Sequence, residues 1–234
     1  HMGFDIYYIY LIIPAMLLAF WASINVKGTF SKYSRIPSKR GFTGRDAALA
    51  VLDRYGITDV QIVKTSGELT DHFDPSAKVI RLSESVYSGT SAASIGVAAH
   101  EAGHAAQYAE DYVPMKLRSA IIPATRIGSN LAMPLFLIGL VMSAYGEQFL
   151  SIAYIGIFCF SLSTLFQLLT LPAELNASSR ALAAIKEEGI LDREEYPGAK
   201  RVLRAAALTY VAALAVSLLQ LLRLLAIAGS RKRR

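Results

Sequence analysis

The sequence predicts a predominantly α membrane protein: transmembrane helices plus a small α+β region. Three observations predict it. The 234-residue chain is 53% hydrophobic, with a mean hydropathy of +0.38, too apolar for an ordinary soluble globule. Its charges are clustered, which leaves four charge-free runs: Ile6 to Val26, Ile127 to Gly146, Gln148 to Ala173 and Ala205 to Leu222. Each approaches or exceeds the roughly 20 residues that cross a bilayer core. Between the first two runs, helix-like and strand-like patterns follow one another in a more polar stretch. The length suffices for one or two domains.

The elements follow in order. His1 and Met2 read as the remnant of a purification tag and are set aside. The first run has no small-residue cleavage site after a short apolar core, so residues 1–26 read as an anchor and not a signal peptide. A helix is its natural state, because lipid offers unpaired backbone groups no partner. Residues 27–42, basic and carrying Gly, Ser and Pro, read as a membrane-proximal linker. Thr43-Gly44-Arg45-Asp46 opens an amphipathic helix with Ala47, Ala50, Val51 and Tyr55 on one face and Gly56 at its stop. Val60, Ile62 and Val63 predict a strand, Ser66-Gly67 a turn, Leu69 to Phe73 a second strand, Asp74-Pro75-Ser76 a turn, and Val79, Ile80 and Leu82 a third strand. From Ser91 to Tyr108 the chain is Ala-rich, with no Pro and two Gly; it reads as a helix capped by Thr90 or Ser91. Val113 to Arg126 reads as an interfacial helix leading into the second span. Residues 127–173 form a hairpin of spans with a short turn around Tyr145-Gly146-Glu147. Ser161, Ser163, Thr164 and Gln167 in the third span are expected to bond to their own backbone or to a neighbouring helix; lining a substrate route is the competing reading. Cys159 stands alone there, so no intrachain disulfide forms. Residues 174–204 read as a helix that carries the candidate third ligand and a cytoplasmic segment, and 205–234 as a last membrane helix, marked by Gln220 and Arg223, with a basic tail.

The net charge is +6, and its distribution carries more information than its sum. Lys27, Lys32, Arg35, Lys39, Arg40 and Arg45 follow the first span, and Lys186, Arg193, Lys200, Arg201 and Arg204 precede the fourth, whereas the turn between spans two and three has no basic residue. The positive-inside rule then places the N-terminus outside and residues 27–126 and 174–204 in the cytoplasm. The tail from Arg231 to Arg234 runs against the rule if the fourth run crosses fully. These basic residues flank spans and no stacking-aromatic motif accompanies them, which excludes a nucleic-acid reading.

The polar stretch holds the pattern on which function turns. Of four histidines, two lie in His100-Glu101-Ala102-Gly103-His104. Positions i and i+4 share a helix face, so both imidazoles point the same way, with the Glu101 carboxylate beside the first. That arrangement is two zinc ligands plus a general base that activates a water. Ile95, Val97 and Ala98 precede it and are expected to surround it with apolar side chains. The competing reading is a pair of core histidines on an Ala-rich helix. A catalytic zinc takes three protein ligands and a water. No histidine follows His104, so the third ligand is expected to be a carboxylate. Glu174 is the first charge after the third apolar run, in Leu171-Pro172-Ala173-Glu174-Leu175-Asn176-Ala177-Ser178, and falls on the same predicted side as the motif; a charge that marks the end of a span is the alternative. Glu187, Glu188, Glu194 and Glu195 read as solvated surface.

Three segments resemble those of the YugP-type membrane zinc metallopeptidases: Leu69-Thr70-Asp71-His72-Phe73-Asp74-Pro75 with Val79-Ile80-Arg81-Leu82-Ser83; Val97-Ala98-Ala99 through the motif to Ala105-Ala106-Gln107; and Leu171 to Ser178. The likeness covers essentially the whole chain from Met2, including Gly198-Ala199-Lys200. More distantly the chain is similar to the HtpX and CAAX prenyl protease group of gluzincins. The resemblance implies a small zincin-like (gluzincin) catalytic region and one Zn2+ ion, with His100, His104 and Glu174 as ligands and Glu101 as base. In the wider group an Asp four residues after the ligand Glu orients a ligand histidine; here that residue is Ser178, a neutral and weaker partner.

The expected function is that of a zinc metalloendopeptidase, multi-pass in the cell membrane, that hydrolyses peptide bonds of membrane or membrane-proximal proteins at the cytoplasmic face. Its expected partners are protein or peptide substrates and the lipid bilayer. An edge strand beside the metal can hold an extended peptide through backbone hydrogen bonds, and the stretch around Leu69 to Phe73 is the candidate. His72, Arg180 and tyrosines such as Tyr87 are candidates for stabilising the oxyanion; the sequence does not choose among them. The alternative is a non-proteolytic zinc-binding membrane scaffold or adaptor with a closed four-ligand site, for which the sequence offers no evident fourth ligand. A transporter would call for repeated spans or paired intramembrane charges, and neither is seen.

Overall fold

A computed structural model describes residues 6–68 and 70–232; the tag remnant, Leu69 and the last two arginines of the tail lie outside them. The chain is mostly helical. A π-helical turn, Tyr8–Ile12, leads into α1 (Ile13–Ser34); then come α2 (Gly44–Arg54), β1 (Gln61–Thr65), β2 (His72–Asp74), β3 (Val79–Ser83), α3 (Glu84–Tyr87), α4 (Ala92–Ala109), α5 (Val113–Met142), α6 (Leu150–Glu187) and α7 (Tyr196–Lys232). Among the described residues, four helical stretches are long and apolar enough to cross a membrane: Tyr8–Ser34, Val113–Tyr145, Glu147–Glu187 and Tyr196–Arg231. Two compact units result. One holds the chain up to Trp21, Leu117–Leu171 and Tyr210–Arg234; the other holds Ala22–Lys116 and Pro172–Thr209.

In the first unit, Phe136, Leu150, Ala153, Ile157, Leu224 and Ala228 form a buried cluster. Polar side chains on these helices find partners, as they must where water is scarce. The Ser129 and Ser163 hydroxyls lie 2.8 Å apart and those of Thr164 and Ser217 2.7 Å apart, while Ser161 donates to the Phe158 carbonyl. Backbone and neighbouring-helix bonding is therefore what this hydroxyl row does.

The second unit is built around α4. Ser91 caps it, accepting from the Ser94 N–H, and its alanines at 98, 99, 102, 105 and 106 are buried. They pack against Ala47, Ala48, Val51 and Leu52 of α2, Ala181, Ala184 and Ile185 of α6, and Ala199 and Leu203 of α7. Small side chains let these helices approach closely. α2 opens with a capping box between Thr43 and Asp46, which satisfies two backbone donors at once. The sheet has the order β1-β3-β2. β2 and β3 form an antiparallel hairpin whose turn is fixed by the Asp74 Oδ1, accepting from the Ser76 and Ala77 N–H groups. β1 runs parallel to β3, so the bend at Ser66 and Gly67 does not join two paired strands, and β2 is left at an edge.

Several expectations are corrected. Residues 27–34 are not a linker: α1 continues through them to Ser34, because propagation of an established helix costs little, a single Gly28 costs only about 1 kcal/mol, and no proline occurs between Lys27 and Ile36. Val113 to Arg126 is not a separate interfacial helix but the start of α5, with Pro123 and Pro134 inside it. The second strand is shorter than expected, with Thr70 and Asp71 outside it. Asp71 instead ties the approach to β2 down, accepting from the Ser83 N–H and hydroxyl. Finally, α6 does not stop at the end of the third apolar run; Glu174 lies well inside it.

Candidate metal centre

α4 and α6 together supply the site. The one-turn spacing of His100 and His104 puts both rings on one face of α4, 4.7 Å apart between centroids and nearly perpendicular. Glu174 faces them from α6. Its Oε2 lies 3.1 Å from the His100 Nε2 and 3.4 Å from the His104 Nε2, and one donor atom from each of the three residues lies within 4.8 Å of the others. The helices come this close because residue 103 is glycine: a Cβ there would sit 2.6 Å from the Ala177 carbonyl oxygen.

The ring nitrogens that face away are held by neutral side chains. The His100 Nδ1 lies 2.9 Å from the Ser178 hydroxyl, one helical turn past Glu174. The His104 Nδ1 lies 2.9 Å from the Gln107 Oε1. The polarity of this second contact is fixed from a distance. Arginine can only donate, so the Asn176 Oδ1 faces the Arg180 Nε at 2.7 Å. That oxygen, with the Ala173 carbonyl, receives the Gln107 Nε2 at 3.0 and 2.7 Å. The Gln107 oxygen is thereby turned to His104, whose Nδ1 must carry the proton. In the neutral ring the His104 Nε2 is then the lone-pair nitrogen, on the side that faces Glu174 and open to an ion between them. Arg180 is itself clamped by Glu110 at 2.6 Å and by the rings of Tyr55 and Tyr112.

The donor set fits a zinc ion. Donors about 2.0–2.1 Å from a tetrahedral ion stand about 3.3 Å apart, and the two measured nitrogen–oxygen separations bracket that value. Glu174 is 4% exposed, and its side-chain partners among the described residues are the two imidazoles. A buried carboxylate with no Lys or Arg beside it calls for a cation. The electrostatics agree: burial alone lowers the His104 pKa, but the hydrogen bond to Glu174 and the charges of Glu101 and Glu174 outweigh it and hold the imidazole above its ordinary value. The negative field that favours a proton there favours a metal ion equally.

Residues 8–229 match the family described as "Putative neutral zinc metallopeptidase". The chain belongs to that family. A relative described as "Putative membrane protease YugP", from Bacillus subtilis (strain 168), is 46% identical over 216 residues, which is 92% of this chain and 94% of the relative. No solved structure matches. Zinc is the ion that this family's description implies.

Glu101 lies beside the cluster, its Oε2 accepting from the Phe73 N–H of β2 at 3.0 Å. Burial pushes its carboxyl above the ordinary range, against the pull of the two histidines. The three oxyanion candidates fall in different places. Arg180 stands behind Gln107 and Asn176 with its guanidinium engaged. His72 is exposed, its Nδ1 2.8 Å from the Thr70 carbonyl, on the face of β2 opposite the buried Phe73 side chain. Tyr87 packs under the Lys64 ammonium of β1, at the other edge of the sheet from β2. Tyr108, which the sequence reading passed over, meets the Phe73 ring edge-on at 6.0 Å. Gln107 and Asn176 were likewise given no role. Gln107 could have been found: it lies three residues after His104, on the same helix face, as a polar side chain in an alanine run.

Proposed function

We propose that this chain is a membrane-embedded zinc metallopeptidase that cuts membrane or membrane-proximal proteins at the cytoplasmic face, with His100, His104 and Glu174 holding the ion and Glu101 serving as base. The observation that carries the reading is the convergence of two imidazole Nε2 atoms and one buried carboxylate, with a second carboxylate beside them. Three protein donors leave a tetrahedral ion one open position, as hydrolytic sites do and closed structural sites do not. Zinc bound there supplies Lewis acidity, lowering the pKa of a water and polarising a peptide carbonyl. Glu101 would take a proton from a water held beside it and return it to the departing amine. Its raised pKa suits a group that must hold the proton between the two steps. The edge position of β2 supports an extended substrate laid alongside it, with the Phe73 N–H bond to Glu101 fixing the distance from strand to base. The basic residues flanking the first and fourth apolar runs support the cytoplasmic orientation, and Glu174, one residue past the third run, supports cleavage close to the membrane.

The test is purified protein in detergent with casein as substrate. Glu101→Gln is expected to keep one zinc per chain while cleavage falls by about 10²- to 10⁴-fold; His100→Ala and His104→Ala are expected to lose both. Cleavage by Glu101→Gln at the parent rate would remove the base from the scheme. Zinc bound tightly by a parent protein that cleaves nothing would favour the scaffold.

A further inference from the structure

We propose that α1 and α7 hold the headgroup phosphate of an anionic phospholipid in a cationic groove, a site separate from the metal cluster and independent of the peptidase reading. The two helices are tied at one point. The Arg201 guanidinium donates to the Tyr33 hydroxyl at 2.7 Å, and a Cβ on Gly198 would lie 2.8 Å from the Tyr33 ring, so the ring rests on bare α7 backbone. From that tie a groove of about 320 Å³ runs between the helices. Asn25, Thr29 and Lys32 line it from α1; Arg204, Ala205 and Leu208 line it from α7. Positions 25, 29 and 32 share one helix face, as do 201, 204, 205 and 208. Residue numbers fall along α1 as they rise along α7, so the helices pass antiparallel. The groove therefore has a cationic end, with Lys32, Arg201 and Arg204, and a less polar end, with Asn25 and Leu208.

Its charge is uncompensated. Three cations line it and no carboxylate does. The Lys32 ammonium lies over the Tyr33 ring at 5.6 Å, and Arg201 bonds to a neutral phenol. Arg204 has no hydrogen bond or ion pair among the described residues, and neither the Asn25 amide nor the Thr29 hydroxyl has a partner there. Some cations of the same unit are paired, Lys39 with Asp192 and Glu194, Lys64 with Glu84 and Arg180 with Glu110, and others such as Lys27 and Arg45 are not, among the described residues; what sets this place apart is that three cations line one groove with no carboxylate in it. The position selects the counter-charge. The first apolar run ends at Val26 and the fourth begins at Ala205, so the three cations stand just past the apolar ends of both helices. That is headgroup depth, where basic pockets between spans take anionic lipids. A phosphodiester meets the three cations, the Thr29 hydroxyl reaches a remaining oxygen, and the ester and acyl chain continue past Asn25 and Leu208.

The test uses the full-length protein in detergent, titrated with phosphatidylglycerol or phosphatidylcholine and read by native mass spectrometry and by Tm. One phosphatidylglycerol is expected to stay bound per chain and to raise Tm, whereas phosphatidylcholine does neither. Removing each charge by Lys32→Gln or Arg204→Gln should weaken phosphatidylglycerol about fivefold. Arg45→Gln, an exposed cation outside the groove, should leave it unchanged. Zinc content reports folding of each variant, and Arg204→Gln, at an exposed side chain, carries the test by itself if Lys32→Gln does not fold. Equal weakening by Arg45→Gln would reduce the groove to a general basic belt. Equal binding of phosphatidylcholine, or of inorganic phosphate in place of lipid, would also overturn the proposal.

Discussion

The tautomer of the His104 imidazole is decided by residues outside the set of His100, His104 and Glu174. Arg180, a donor without acceptors, orients Asn176; Asn176 orients Gln107; Gln107 fixes the proton on the His104 Nδ1 and leaves the Nε2 free. Supporting partners of ligand histidines typically govern affinity by 10–100-fold. Gln107→Leu is therefore expected to weaken zinc binding by that factor in a chelator competition. Gln107→Glu still offers an acceptor to the Nδ1 proton and should largely restore zinc, while losing the donors to Ala173 and Asn176 and with them about 1–3 kcal/mol of stability. Equal zinc affinity in Gln107→Leu and the parent would contradict the tautomer argument. At this scale the sequence was legible where residues act through spacing along one helix. His100, Glu101 and His104 declare themselves that way. Glu174, Asn176 and Arg180 act across a sequence gap of about seventy residues, and no local pattern encodes which face of α6 meets α4.

At the scale of elements, the site depends on how closely α4 and α6 can approach. Gly103 sits against the Ala177 backbone carbonyl, and Ala177 is less than one turn from Glu174. Gly103→Ala must move a helix, because a backbone oxygen 2.6 Å from the new Cβ has no side-chain freedom to give way. The expected result is an overpacking loss of about 1–3 kcal/mol, seen as a lower Tm, together with zinc affinity reduced at least tenfold. A variant that keeps parental zinc affinity would show that the two helices are not held at a critical distance. The strands were foreseeable from β-branched residues at 60, 62, 63, 79 and 80, and the turn at Asp74 from its chemistry. The pairing was not. Placing β3 in the middle, with β1 parallel to it, depends on what covers the sheet, and α4 fills that role. Helix ends were misjudged for a related reason: hydropathy marks where lipid would stop, whereas a helix stops where its backbone hydrogen bonds do.

For the whole molecule, charge asymmetry predicts orientation. In a Cys159→Ser background, Glu147→Cys should react with a membrane-impermeant maleimide added to intact cells, and Glu68→Cys should react only after permeabilisation. The reverse pattern would put the metal cluster on the outer face and end the cytoplasmic reading. The amino-acid sequence by itself determined the four apolar helices, the helical motif and the nature of its chemistry, because hydropathy and one-turn spacing are properties of contiguous residues. Tertiary structure alone decided that Glu174 meets the two imidazoles, that neutral Ser178 and Gln107 steady them, that β2 becomes the edge strand bonded to Glu101, and that α1 and α7 bring their cations together. Each of those outcomes follows from close packing of small residues between segments far apart in the chain, and such packing is fixed by the fit of whole surfaces rather than by any local pattern of residues.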